Sequence, residues 1–199
     1  MNNNLQESID LSKFIEHAHR LQSKYGHMVA YPEELFDIVK LMYHPVSGAI
    51  IGIVISTSSE KTNDNKFRIK LKDSNNQFVY GTLKCEELMK FDNLGVLRHK
   101  FFSFHFEADH NQEQFYTFRL DYDPKAPTPL HAHDFTDKTQ SVHLSYPANV
   151  SLNLNMIDYC TVLQILSYYF LHVDKYPLTH GNEYNKLIEN TRSIYDEQR

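Results

Sequence analysis

The chain has 199 residues, a formal charge of −5 with histidine neutral, 41% hydrophobic and 13% aromatic residues, and no tryptophan. That hydrophobic content excludes a disordered chain, and the length allows one compact domain with a real core. The acidic balance argues against a generic binder of duplex phosphate, and six glycines leave little material for a phosphate-cradling loop.

Residues 5–25 repeat Leu5, Ile9, Leu11, Phe14, Ile15, Ala18 and Leu21 at three- and four-residue steps, with Gly26 at the C-terminal boundary, which predicts a helix. Pro32–Tyr43 predicts a second: Pro32 suits the first turn, Glu33 and Glu34 favour the positive end of the dipole, and Leu35, Ile38, Val39 and Met42 form a face. Ala49–Thr57 is β-branched and apolar, as in a strand covered on both faces. After the polar stretch SSEKTNDNK, Phe67–Lys72 and Phe78–Leu83 alternate around Asp73-Ser74-Asn75-Asn76, a hairpin-like pair. Cys85–Phe91 reads as a short amphipathic turn.

From Gly95 to Tyr122 two long strands are expected, joined near Asp109-His110-Asn111. Phe102, Phe104 and Phe106 share one face of the first, opposite Phe101, Ser103, His105 and Glu107; Tyr116, Phe118, Leu120 and Tyr122 oppose Phe115, Thr117, Arg119, Asp121 and Asp123 in the second. A proline-braked loop carrying His131-Ala132-His133 follows, then short strands at Gln140–Tyr146 and Val150–Leu154. Asn155 or Asp158 caps a helix over 156–173 whose apolar face covers the sheet, and a charged helix is expected near 183–197. The order predicts an α+β fold: N-terminal helices, a curved antiparallel β-sheet, and C-terminal helices packed on the sheet. We expect one domain over 1–199; the loop at 59–66 is the single place to divide it, into 1–60 and 66–199.

Cys85 and Cys160 are the only cysteines, a count that suits a reducing compartment better than a disulfide scaffold. The N-terminal MNNNLQESIDLSKF has neither a basic nor an apolar leader region, and no run reaches the roughly 18 apolar residues of a membrane span. A cytoplasmic protein without membrane attachment is expected.

Six of the twelve histidines fall between His99 and His143. Strand alternation would put His131 and His133 on one side, where two imidazoles can bind one divalent metal if a third group joins them. His143, Asp134, Asp137 and His105 are the candidates for that third ligand. The same pair also suits acid–base chemistry on a phosphodiester, with His131 and His133 exchanging protons and Arg119 steadying phosphate charge, unless Arg119 is paired with Asp121 or Asp123. The plain alternative is a pair of exposed loop histidines. His17 and His19 lie on different faces of the first helix, and His172 and His180 near helix ends suit capping or dipole roles. Aromatic rows on a sheet can stack single-stranded bases, but core packing is their ordinary use.

The phrases FSFHF, FRLDYD, LHAH, SYP and IDYCTVLQILSYYF, within residues 95–172, resemble the TumE-type toxin family of bacterial toxin–antitoxin pairs. The resemblance places Arg119, Asp121 or Asp123, His131 and His133 on the family's polar positions. It implies a toxin–antitoxin or defence-associated factor that acts on RNA or DNA beside an antitoxin-like protein partner. Two other classes stay open: a noncatalytic protein-interaction module, and a metal-dependent small-molecule enzyme using the HxH motif.

Overall fold

The computed structural model describes residues 9–26, 38–57, 67–72, 75–109, 117–133 and 142–196. Helix α1 (Leu11–Tyr25) starts where the Asp10 side chain accepts a hydrogen bond from the Lys13 amide at 3.0 Å. Eight strands follow: β1 (Val39–Tyr43), β2 (Ile50–Ser56), β3 (Phe67–Lys72), β4 (Phe78–Phe91), β5 (Leu97–Ala108), β6 (Phe118–Tyr122), β7 (Leu130–His133) and β8 (His143–Ser145). A 3-10 turn at Leu154–Met156 leads into α2 (Tyr159–Leu171), and α3 is Gly181–Arg192. The chain is α+β, with helices at both ends of an open antiparallel sheet ordered β1-β2-β4-β5-β6-β7-β8. Strand β3 also pairs β4, so one long strand joins the segments on either side of residues 58–66.

One face of this sheet carries the core. Phe102, Phe104, Phe106 and Phe118 are fully buried, as their alternation predicts. The Phe106 ring meets Phe170 of α2 edge-on at 5.3 Å, and Phe118 meets Tyr169 at 6.4 Å. Helix α3 leans on α2 through Tyr184, whose ring lies 5.2 Å from that of Tyr168. The side chain of Asp158 caps α2 by accepting from the Thr161 amide at 2.9 Å, while the Thr161 hydroxyl accepts from the Asp158 amide at 2.8 Å. Asp158 is fully buried; Arg192 Nη1 donates to it at 2.9 Å, and the Tyr195 hydroxyl donates to the same oxygen.

Four expectations change. Residues 39–43 lie in a strand, not the end of a helix, because pairing with β2 overrides a spacing that also suits a helix; residues 32–37 lie outside the described residues. Cys85–Phe91 is no turn but the second half of β4, where inward Glu87 breaks the apolar alternation that would have marked it. Leu130–His133 is a strand between β6 and β8 rather than part of a loop. Val150–Leu154 joins no strand and runs into the 3-10 turn.

A bulge between Leu88 and Met89 of β4 sets Phe101 and His99 against neighbouring residues, leaving Lys100 over. That extra residue turns His99 to the side of Phe102, where its Nε2 meets Oε1 of buried Glu87. The other Glu87 oxygen accepts from the Tyr159 amide at 3.0 Å, and burial is the main influence raising the Glu87 pKa. Cys85 and Cys160 are unbridged, and burial pushes both thiols well up. No helix among the described residues is long and apolar enough to cross a membrane.

Candidate metal centre

The face of the sheet turned away from α2 collects polar side chains. Leu120 pairs with Ala132 on the core side, so Arg119 and Asp121 of β6 and His131 and His133 of β7 point the other way. His133 pairs with His143 of β8, and Ser103 of β5 pairs with Asp121. One row therefore crosses the strands through Glu86, Ser103, Asp121, His131 and Ser145; beside it Lys84, His105 and Arg119 face one another across β4, β5 and β6, and His133 faces His143 across β7 and β8.

The rows converge at three imidazoles. His131, His133 and His143 each offer a ring nitrogen, and these atoms lie within 4.8 Å of one another. His131 and His143 are nearly parallel, with centroids 4.6 Å apart, while His133 is tilted to both. His131 and His133 are buried and His143 is exposed, which leaves the cluster one outward side. Nitrogens around a tetrahedral zinc stand about 3.3 Å apart at Zn–N distances of roughly 2.0–2.1 Å, so ligation needs the rings to draw in by up to about 1.5 Å.

Two of the rings are already oriented from behind. His131 Nδ1 lies 2.7 Å from the Thr128 carbonyl. Thr128 sits between Pro127 and Pro129, and Pro129 has no N–H to compete for local pairing. With Nδ1–H donated to that carbonyl, Nε2 of His131 is the available ligand atom. His133 Nε2 lies 3.0 Å from Asp121 Oδ2, a carboxylate partner of the kind that fixes a ligating imidazole's tautomer. Burial depresses the His131 pKa, an effect the Thr128 carbonyl and Asp121 only partly offset. Burial pushes Asp121 upward, but hydrogen bonds from His133 and Ser103 and the charge of Arg119 outweigh it and hold the carboxyl below its usual range.

Of the third-ligand candidates, His143 joins the pair. His105 faces the same side, opposite Arg119, but stands outside the cluster. Asp134 and Asp137 lie outside the described residues. Arg119 Nε is 2.7 Å from Asp121 Oδ2, so it is ion-paired beside the histidines. Asp123 instead shapes the turn, its side chain accepting from the Lys125 amide at 2.9 Å and its amide donating to the Pro129 carbonyl at 2.9 Å. His17 is buried on α1 with both ring nitrogens lacking a hydrogen bond among the described residues; burial lowers its pKa.

No family model, curated protein or solved structure matches the chain. The resemblance to TumE-type toxins accordingly rests on its short motifs alone. Sequence reasoning passed over Ser103 and the Thr128 carbonyl as parts of the site. The alternation of β5 gives the face of Ser103, but its place opposite Asp121 depends on register, which no local pattern states.

Proposed function

We propose that this protein is a metal-dependent enzyme in which His131, His133 and His143 hold one divalent transition metal, zinc being the simplest fit to three imidazoles. The observation that carries this reading is the convergence of three ring nitrogens within 4.8 Å with two of the rings braced from behind. Structural zinc sites are closed by four protein ligands, whereas three ligands and an outward side characterise catalytic ones. Bound there, the metal supplies Lewis acidity and a water acidified toward neutral pH. The chain supplies the rest: Thr128 and Asp121 hold the rings, and the polar rows offer a bed for a small polar substrate.

The test is elemental analysis of the purified wild type and of the His131→Ala/His133→Ala double variant, with melting curves for both. About one metal per chain, absent from the variant, is expected, together with a metal-dependent rise in melting temperature of the wild type alone. A wild type that takes up no zinc, cobalt, iron or manganese overturns the reading.

A second reading has its own support. The Asp121–His133 contact resembles a carboxylate orienting an imidazole base, and Arg119 lies beside it. Without a metal, His131 and His133 would trade protons on a phosphodiester, in keeping with a TumE-type toxin that acts on RNA or DNA beside an antitoxin-like partner. RNA or DNA cleavage by metal-stripped protein, lost in either single histidine variant, would establish it.

A further inference from the structure

Arg119 is ion-paired with the carboxylate that meets His133, and its attachment is one-sided. Its Nε is buried and ion-paired at 2.7 Å with Asp121 Oδ2, without hydrogen-bond geometry, and the same oxygen meets His133 Nε2 at 3.0 Å. The guanidinium is thus anchored one carboxylate away from the imidazoles. Its two terminal nitrogens have no hydrogen-bond or ion-pair partner among the described residues, and the side chain is 37% exposed against 8% for Asp121. An arginine ion-paired on its Nε side leaves its terminal N–H groups as a fork, a geometry matched to a carboxylate or a phosphate.

The surroundings agree with that use. His105 lies directly across the ladder from Arg119, and Lys84 across from His105, so Arg119 ends a row of three nitrogen-bearing side chains. Lys84 is itself balanced by Glu86, 3.3 Å away, in the neighbouring row.

We propose that the terminal N–H groups of Arg119 grip an oxyanion on the substrate, a carboxylate or a phosphate, whose reacting end then lies at the three histidines. The placement of the reacting end rests on the metal-centre reading; the anion seat does not. Substrates of this site are small anions or carry an anionic group close to the bond that reacts.

Titration calorimetry with inorganic phosphate and with malonate tests this, using metal-loaded wild type, wild type stripped with EDTA, and the Arg119→Gln and Arg119→Lys variants. One of the two anions is expected to bind both wild-type forms, and which one it is separates the phosphate class from the carboxylate class. Arg119→Gln should weaken that binding by roughly tenfold or more, and Arg119→Lys by less, since lysine keeps the charge but loses the fork. If Arg119→Gln fails to fold, Arg119→Lys carries the comparison. Equal binding by wild type and variants overturns the proposal, as does the absence of anion binding to the stripped wild type. Arg119-dependent binding by a protein that takes up no metal sinks the metal centre and leaves the seat standing. One metal per chain with Arg119-independent binding does the reverse.

Discussion

Asp121 Oδ2 stands 3.0 Å from His133 Nε2, 2.7 Å from Arg119 Nε and 3.8 Å from His131 Nε2. One buried oxygen thus sets an imidazole tautomer and anchors a guanidinium, and its negative charge matters to both. Asp121→Asn keeps the shape and one acceptor but removes that charge. We expect it to lower metal affinity by about 10–100-fold, the usual cost of losing a partner behind a ligand, when measured by competition with a chelating dye. Affinity equal to wild type would show that His133 needs no such support. His17 makes the contrast: equally buried, it faces no acidic side chain that hydrogen-bonds it among the described residues, and no second histidine joins it. Burial alone does not make a histidine a ligand; convergence does.

At the scale of elements, sheet pairing rests on close approaches as well as on side chains. Gly81 of β4 sits opposite Ala108, and a Cβ there would come within 2.6 Å of the Glu107 carbonyl and 2.8 Å of the Phe106 ring. Gly81→Ala should therefore cost about 1–3 kcal/mol in denaturant unfolding, since Phe106 is wedged against Phe170 and the Glu107 carbonyl is backbone. A neutral result would mean that β4 and β5 can separate locally. Much of this layer was legible beforehand. The alternating Phe102, Phe104 and Phe106 follow from period alone, and capping offered Asn155 or Asp158 for the helix that Asp158 begins; the turn expected at 73–76 falls partly outside the described residues. What escaped reading was decided by partners distant in sequence. Val39–Tyr43 and Cys85–Phe91 have apolar spacings that two periods share, and Leu130–His133 contains two residues that usually avoid burial. Each becomes a strand because a neighbour offers its ladder. The site divides the same way: His131, His133 and Arg119 were readable as a cluster of types, whereas His143's selection over His105 needed the β7–β8 register.

Across the whole molecule, the last described residues lock the first. Ile9 bridges both Leu97 and Asp196, and the Asp10 amide donates to the Tyr195 carbonyl at 3.1 Å. Arg192, 2% exposed, pairs with Asp158 at 2.9 Å and with Asp196 at 3.0 Å. Arg192→Met would leave the Asp158 charge buried with the Tyr195 hydroxyl as its remaining side-chain partner. We expect a loss of about 3–5 kcal/mol in chemical denaturation, with the histidine centre still able to take metal in whatever fraction stays folded. A loss under 1 kcal/mol would mean that water reaches Asp158. The same closure sets a timetable for synthesis. The aromatic row Phe102–Phe118 leaves the ribosome well before its lid at Tyr159–Leu171, and Arg192 and Tyr195 later still. During translation the growing chain presents a greasy, strand-forming ribbon with nothing to cover it, so slowing the ribosome between residues 118 and 159 should increase its dependence on chaperones.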